Sequence, residues 1–368
     1  MSLKHVAKRV LSVSADTRSS VSRDIRYIRE QMLTVADAHQ IHDELHWDVS
    51  VQLLNEVRAL RNELVSHDEK SMMFAWEGYR TDGEDLAEAK KRFFRSLPEA
   101  SGGLRLLQLG CTKLLAEFDR LCEENSLQYI MAFGTLLGAV RHQGFIPWDD
   151  DVDLAMPRDD LDKLISIVAN DDRYEVSVAY DAYVNCRQVR FKYADKNVPC
   201  FLDLFYFDWA PDEYDSSASG MRALRDKMIE KMQRDEALAF WRDEEPCILA
   251  NDPRAARIGA YFDETLQRAK ELGIVCDRGS AKAIVWSHDN MTSVQKRQTY
   301  AISDTLPAVE LSFEKAGLKA PANYDLFLRS AYGDYLELPN DLRGHYEHVS
   351  RDGLDSGASY DALSDLLR

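Results

Sequence analysis

The chain has 368 residues, 45% of them apolar, and 46 Lys and Arg against 63 Asp and Glu give a net charge of −17. That length accommodates about two domains, each large enough to fold around its own core without disulfide or metal staples. The negative balance argues against nucleic acid as a partner, because such binding depends on Lys and Arg neutralising phosphates.

No run of apolar residues is long enough to span a bilayer, and the N-terminus lacks the apolar core of a signal peptide. Six scattered cysteines with no Cys-x-x-Cys pair fit reduced thiols in a cytoplasmic protein. Within residues 1–15, Leu3, Val6, Val10 and Val13 form one helical stripe beside Lys4, Lys8 and Arg9. Such a stripe packs on protein or rests on an anionic surface, and the second case would place the chain at the inner face of the membrane.

The first glycine is Gly78 and the first proline Pro98, so the opening stretch lacks both strong helix breakers. Ile25, Ile28, Met32 and Val35, then Leu53, Val57, Leu60 and Leu64, repeat at helical spacing. They predict two or three helices over residues 1–100, either a hairpin or coiled coil that supports a homo-oligomer or a cap on the next domain. His39, His42 and His46 share a face there. The run His42-Asp43-Glu44-Leu45-His46 has Asp directly after the first His where a zinc-peptidase helix needs Glu, so these histidines read as structural or solvated.

Beyond Ser101-Gly102-Gly103 the texture changes. Leu104, Leu107, Cys111, Leu114, Leu115, Phe118 and Leu121 predict a helix, followed by strands at Tyr129–Phe133, Val152–Met156, Tyr174–Val178, Gln188–Tyr193 and Phe201–Phe207. Residues 212–273 return to a charged helical pattern, a block with turn and aromatic signals runs over 294–340, and 351–368 reads as a polar, poorly packed tail. The expected organisation is therefore a helical region (1–100), an α+β domain (101–350) and the tail. Residues 1–100 carry 15 basic and 17 acidic side chains, leaving 31 against 46 for the rest, so the acidity belongs to the α+β part.

The densest chemical signal is Phe133-Gly134-Thr135-Leu136-Leu137-Gly138-Ala139-Val140-Arg141-His142-Gln143-Gly144-Phe145-Ile146-Pro147-Trp148-Asp149-Asp150-Asp151-Val152-Asp153. Four carboxylates in five positions repel one another unless a cation intervenes. In a strand, residues i and i+2 share a face, so Asp151 and Asp153 can meet one hard divalent ion, magnesium or manganese. Asp149 is a further ligand or holds Arg141; Asp150 points away. Gly134 and Thr135 open a helix whose N-terminus favours a phosphate, with Arg141 and His142 as added donors. Asp203 interrupts the apolar run Phe201–Phe207 and needs a partner, either the metal or Arg190 or Lys192 on the preceding strand. Asp208 falls on the other face.

Together these motifs resemble the LicD family, which includes bacterial phosphocholine transferases and is related to fukutin and fukutin-related protein. The resemblance covers residues 104–348. It extends to Asp304–Glu314, Ala320-Pro321-Ala322-Asn323-Tyr324 and Tyr332–Pro339, followed by Arg343, His345 and His348. It implies a nucleotidyltransferase-like mixed sheet flanked by helices, with a helical C-terminal part. Gly134-Thr135 stands where the wider superfamily often has Gly-Ser or Gly-Gly. Asp151, Asp153 and Asp203 would be catalytic, the same three with Asp149 would hold the metal, and Gly134, Thr135, Arg141, His142 and Lys192 would bind the donor. The implied activity moves a phospho-alcohol (phosphocholine, ribitol phosphate or glycerol phosphate) from a CDP-linked donor to a hydroxyl of a glycan or its lipid-linked precursor, releasing CMP. Asp203 would complete the metal site or take the acceptor's proton. Two competing readings use the same sequence: a nucleotidyltransferase acting on a nucleoside triphosphate, and a non-catalytic scaffold of a glycan-synthesis complex. Trp148, Tyr183, Tyr206, Trp209 and Trp286 are candidates for a cage around a quaternary ammonium or for core positions.

Overall fold

A computed structural model describes residues 55–59, 62–63, 70–212, 216–290, 297–338, 348–350 and 353–368. The amphipathic stripe of residues 1–15, the three histidines and Arg343 and His345 lie outside them. Two compact units divide between Ala89 and Lys90. In the first, residues 55–59 and 70–79 are helical, and Val57 of the expected stripe is exposed. Among the described residues no helix is long and apolar enough to cross a membrane.

The second unit is an α+β fold. Helix α1 (Gly102–Glu124) buries Leu107, Cys111, Leu114, Leu115, Phe118 and Leu121, the stripe its sequence predicts. Phe118 packs edge-on against Tyr129 and Phe191, fastening the helix to the sheet. Strand β1 is shorter than expected, Ile130–Met131 only, because Phe133 already opens helix α2 (Phe133–Arg141). Then come β2 (Asp153–Pro157), α3 (Arg158–Val168), β3 (Tyr174–Asp181), β4 (Cys186–Tyr193) and β5 (Phe201–Ala210).

The sheet runs β1-β2-β5-β4-β3, and only the β2/β5 pair in this run is parallel. Its central strand, β5, is apolar on both faces, as befits a strand covered on two sides. The region after it is helical as expected, in α4 (Ser216–Arg234) and α5 (Ala256–Glu271), but it also contributes β6 (Cys247–Leu249), an edge strand beside β3. Strands β7 (Ala283–Trp286) and β8 (Thr299–Ala301) were not legible in the sequence. Strand β7 joins the second half of β5, where β4 has already left it. The hairpin β9 (Val309–Phe313) and β10 (Ala316–Ala320) and helix α6 (Tyr324–Tyr332) follow.

The tail is not loose. Helix α7 (Ala358–Leu366) places Leu363 in the main core, where it is fully buried together with Leu354, and Lys113 Nζ of α1 donates to the Leu366 carbonyl at 2.7 Å. The Asp355 carboxylate accepts the otherwise orphaned Gly103 N–H at the start of α1, at 2.7 Å. Gly103 itself must lack a side chain, since a Cβ there would stand 2.2 Å from the Leu354 carbonyl oxygen. The polar composition of 351–368 concealed this because two leucines on one short face suffice for docking. Leu363→Ala should therefore cost about 2–5 kcal/mol of stability, as buried leucine truncations do. Urea unfolding measures this, and a loss under about 0.5 kcal/mol, the range of a surface substitution, would show that the tail does not share the core.

Candidate active site

Parallel pairing of β2 with β5 sets Asp153 directly opposite Asp203. Asp151, two residues earlier, joins them: one oxygen from each of the three carboxylates lies within 4.8 Å of the others. Two carboxylates about 4 Å apart repel by about 4 kcal/mol at an effective dielectric constant of about 20. One ordinary hydrogen bond returns only about 1 kcal/mol, so the trio needs protons or a cation.

The protein supplies partial compensation. Asp153 accepts the Gly134 N–H at 3.1 Å, and its own N–H is bound by the Thr135 hydroxyl at 2.8 Å. Arg190 of β4, the register partner of Asp203, donates from Nε to the Asp203 carboxylate at 2.8 Å. Both partners considered for Asp203 are thus present, the carboxylate cluster and Arg190. Burial first, then Asp151, Asp203 and Asp149, hold the Asp153 carboxyl well above the usual carboxylate range. Asp149 is raised in the same way by burial, by Asp151 and Asp150, and by a hydrogen bond with Asp151.

Several expected roles change. The Gly134 amide and Thr135 hydroxyl position Asp153, so the helix N-terminus cradles a carboxylate of the protein where a phosphate was expected. A Cβ at Gly134 would lie 2.9 Å from Asp149 Oδ2, so a side chain there would displace that carboxylate. Asp149 stands against that glycine and is not one of the three converging carboxylates. Arg141 is buried beneath the Phe94 ring, its Cζ 4.2 Å from the centroid, and donates to the Tyr335 carbonyl; burial lowers its pKa to about 10. His142 packs between Phe94 and Trp148, and burial lowers its pKa to about 3, so it is neutral. It lines a different cavity, of ≈ 370 Å³, walled by Arg105 and Glu314. Lys192 pairs with Glu175 at 3.4 Å. Asp150 is outside the trio but does not point away: it accepts the backbone N–H groups of His348 and Val349 and shares His348 with Asp151. Asp208 faces elsewhere, paired with Arg158.

The trio opens into a cleft of ≈ 220 Å³ shared with Gln188, Arg190, Arg225, Asn290 and His348. His348 Nδ1 lies 3.0 Å from Asp150 and 3.4 Å from Asp151, and Asp150, Asp151 and His348 form a second group with metal-ligand spacing. The hydrogen bond that His348 donates to the Asp150 carboxylate raises the His348 pKa against the opposing effect of burial. Sequence reasoning had placed His348 only in the closing stretch of the resemblance. Arg225 and Asn290 gave no signal, since both reach the cleft from distant elements. The five aromatic candidates do not converge: Tyr206 lies under Arg158, Trp209 bonds Asp159, Trp286 stacks on Phe133, Trp148 meets His142 and Tyr183 is exposed.

Residues 126–234, which carry the trio, match the family described as LicD/FKTN/FKRP, nucleotidyltransferase domain. This stretch is a LicD-family nucleotidyltransferase domain. The lipopolysaccharide cholinephosphotransferase LicD of Haemophilus influenzae is 34% identical over 122 residues, which cover 30% of this chain and 46% of that protein. An uncharacterized protein of Rickettsia prowazekii is 30% identical over 111 residues, 29% of this chain and 42% of its own, and one of Rickettsia typhi is 44% identical over 52 residues, 14% and 17%. The chain therefore spans less than half the length of each of these relatives. The matched stretch runs from just before β1 to the end of α4, so β7, β8 and the docked tail lie outside it.

Asp149 and Asp153 hold protons more tightly in the folded chain than in the unfolded one. Their contribution to stability is whole below about pH 4, the ordinary carboxylate pKa, and is lost as pH rises through the raised values. In a chelator the melting temperature should fall from pH 5 to pH 8, and Asp153→Asn should reduce that fall. An equal pH dependence in the two proteins would disprove the shared proton binding.

Proposed function

We propose that the chain is a transferase that moves phosphocholine, or a related phospho-alcohol such as ribitol or glycerol phosphate, from a CDP-linked donor to a hydroxyl of a cell-surface glycan or its lipid-linked precursor, with release of CMP. The observation that carries this reading is the Asp151, Asp153 and Asp203 trio, brought within 4.8 Å by the β2/β5 register inside a LicD-family domain. The 34% identical Haemophilus influenzae protein is named as a lipopolysaccharide cholinephosphotransferase, which supports phosphocholine as the transferred group and a glycan acceptor.

The donor set suits a hard cation, because three crowded carboxylate oxygens and no sulfur ligand match magnesium or manganese, and such an ion would offset the burial and the repulsion that together raise the Asp153 carboxyl. When bound, the ion supplies positive charge that offsets the negative charge developing on the diphosphate. The protein residues provide placement. Gly134 and Thr135 fix Asp153, and Arg190 fixes Asp203. Asp203, committed to Arg190 and to the cluster, acts as a metal carboxylate. The acceptor oxygen then forms the new bond to the phosphorus that carries the alcohol, the bond from that phosphorus to the bridging oxygen breaks, and the bridging oxygen leaves with CMP while the hydroxyl proton passes to the departing phosphate or to water. The neutral His142 and the buried Arg141 take no part at the phosphate, and their place is structural.

Incubating the full chain with CDP-choline, CDP-ribitol or CDP-glycerol, magnesium and glycan acceptors should release CMP with at least one donor. Asp153→Asn and Asp151→Asn should lower turnover by about 10³-fold, the loss of several kcal/mol of charge stabilisation, while circular dichroism stays native. Release of pyrophosphate from CTP or ATP in place of CMP would overturn the reading.

A further inference from the structure

The cleft that holds the carboxylates also holds a guanidinium with no carboxylate of its own. Arg225, half-buried on α4, donates from Nε to the His288 carbonyl at 3.2 Å and from Nη2 to the carbonyls of Val184 and Asn185 at 2.9 and 3.0 Å. All three acceptors are neutral. Among the described residues no Asp or Glu lies within 4.0 Å of its nitrogens, and Nη1 makes no hydrogen bond. The comparable arginines are matched: Arg190 to Asp203, and Arg158 to Asp208 and Asp289.

Carbonyl dipoles orient a guanidinium without cancelling its charge. A partly desolvated, uncompensated cation therefore favours an incoming anion, and arginine suits phosphate oxygens because its planar fork can donate twice. The orientation is firm. Val184 and Asn185 form the β3–β4 turn, which is closed by the Asp181 carboxylate accepting the Tyr183 and Val184 N–H groups, so little ordering remains to be done on binding. Carboxylates elsewhere in the cleft exclude a simple anion unless a cation covers them. A ligand that answers both features carries at least two phosphates.

We infer that Arg225 is a phosphate-binding residue of this cleft, so that a diphosphate is held by two separate positive charges, the cation on the carboxylates and this guanidinium. This rests on the proposed function for the identity of the donor, but the recognition of a diphosphate stands on the cleft itself. It also places the quaternary ammonium of a choline donor away from Arg225, since like charges repel.

The test is calorimetric titration of the full chain in magnesium with inorganic pyrophosphate, CDP and cytidine. Arg225→Gln keeps two N–H donors for the carbonyls but loses the charge, and should weaken pyrophosphate and CDP about 10- to 100-fold, the range for a hydrogen bond to a charged group. Arg225→Lys should recover part of that loss. Cytidine and magnesium alone should bind all three proteins equally. Unchanged pyrophosphate affinity in Arg225→Gln overturns the inference, as does wild-type protein that binds neither phosphate probe. An equal loss of cytidine binding with a lowered melting temperature in both variants also overturns it, because Arg225 would then only pin the turn. Wild-type protein that binds pyrophosphate through Arg225 yet releases no CMP from any CDP-alcohol leaves this inference intact and removes the proposed function.

Discussion

Repulsion between the carboxylates of Asp153 and Asp203, which β2 and β5 hold opposite one another, is the constraint around which the site is arranged. Hydrogen bonding in the sheet fixes the strand register, so the two acids cannot separate without breaking the parallel ladder. The surroundings answer that strain piece by piece. The amide of Gly134 faces one carboxylate and Arg190 faces the other, while burial and its acidic neighbours hold the Asp149 carboxyl above the usual carboxylate range. None of these neutralises the trio, and the residual charge is what makes the place suited to a divalent ion.

The same strand organises a second charged centre on its far half. Asp208 of β5 meets Arg158 of α3, which also reaches Asp289 and Ser287 just beyond β7, and Arg187 of β4 lies against Asp289. These groups are buried and paired, and the balance between desolvation and attraction makes them an expensive but specific junction. Burial works against ionisation of Asp289, yet Arg158, His288 and Arg187 hold its carboxyl well below the usual range. The junction has a consequence at the cleft. It fixes the loop that carries Asn290, whose side chain accepts the Tyr206 N–H and donates to the Arg187 carbonyl. Residues far apart in sequence thereby form one wall.

Mixed topology explains why the cleft lies where it does. Strand β4 pairs with the first half of β5 and β7 with the second, and the opening is lined at that change of partner by Arg190 of β4 and by Asn290 after β7. Helix α4 contributes Arg225 alongside them. A positive group and a cluster of acids can share so small a space because each is held by backbone: Arg225 by three carbonyls, Asp153 by an amide.

The sequence by itself determined the elements whose signal is local. The apolar spacing from Leu104 to Leu121 specified α1, the run Phe201–Phe207 with its lone Asp203 specified β5, and the i, i+2 spacing of Asp151 and Asp153 put both on one face. Side-chain period and residue type are properties of neighbours along the chain, so no contact need be known to read them. What only the tertiary structure decided are pairings across long separations. Arg141 and His142 carry phosphate-binding chemistry in any reading of the sequence, but packing against Phe94 turns them inward. Lys192 and Arg190 lie two residues apart on one strand, and register gives Asp203 to Arg190 alone. Arg225 and Asn290 enter the cleft from segments whose sequences hold no mark of it, and His348, marked only by its place in the resemblance, joins them there. The short tail docks because two leucines meet a complementary surface on α1. In each case the deciding energy comes from groups brought together by folding, and a linear pattern does not contain that information.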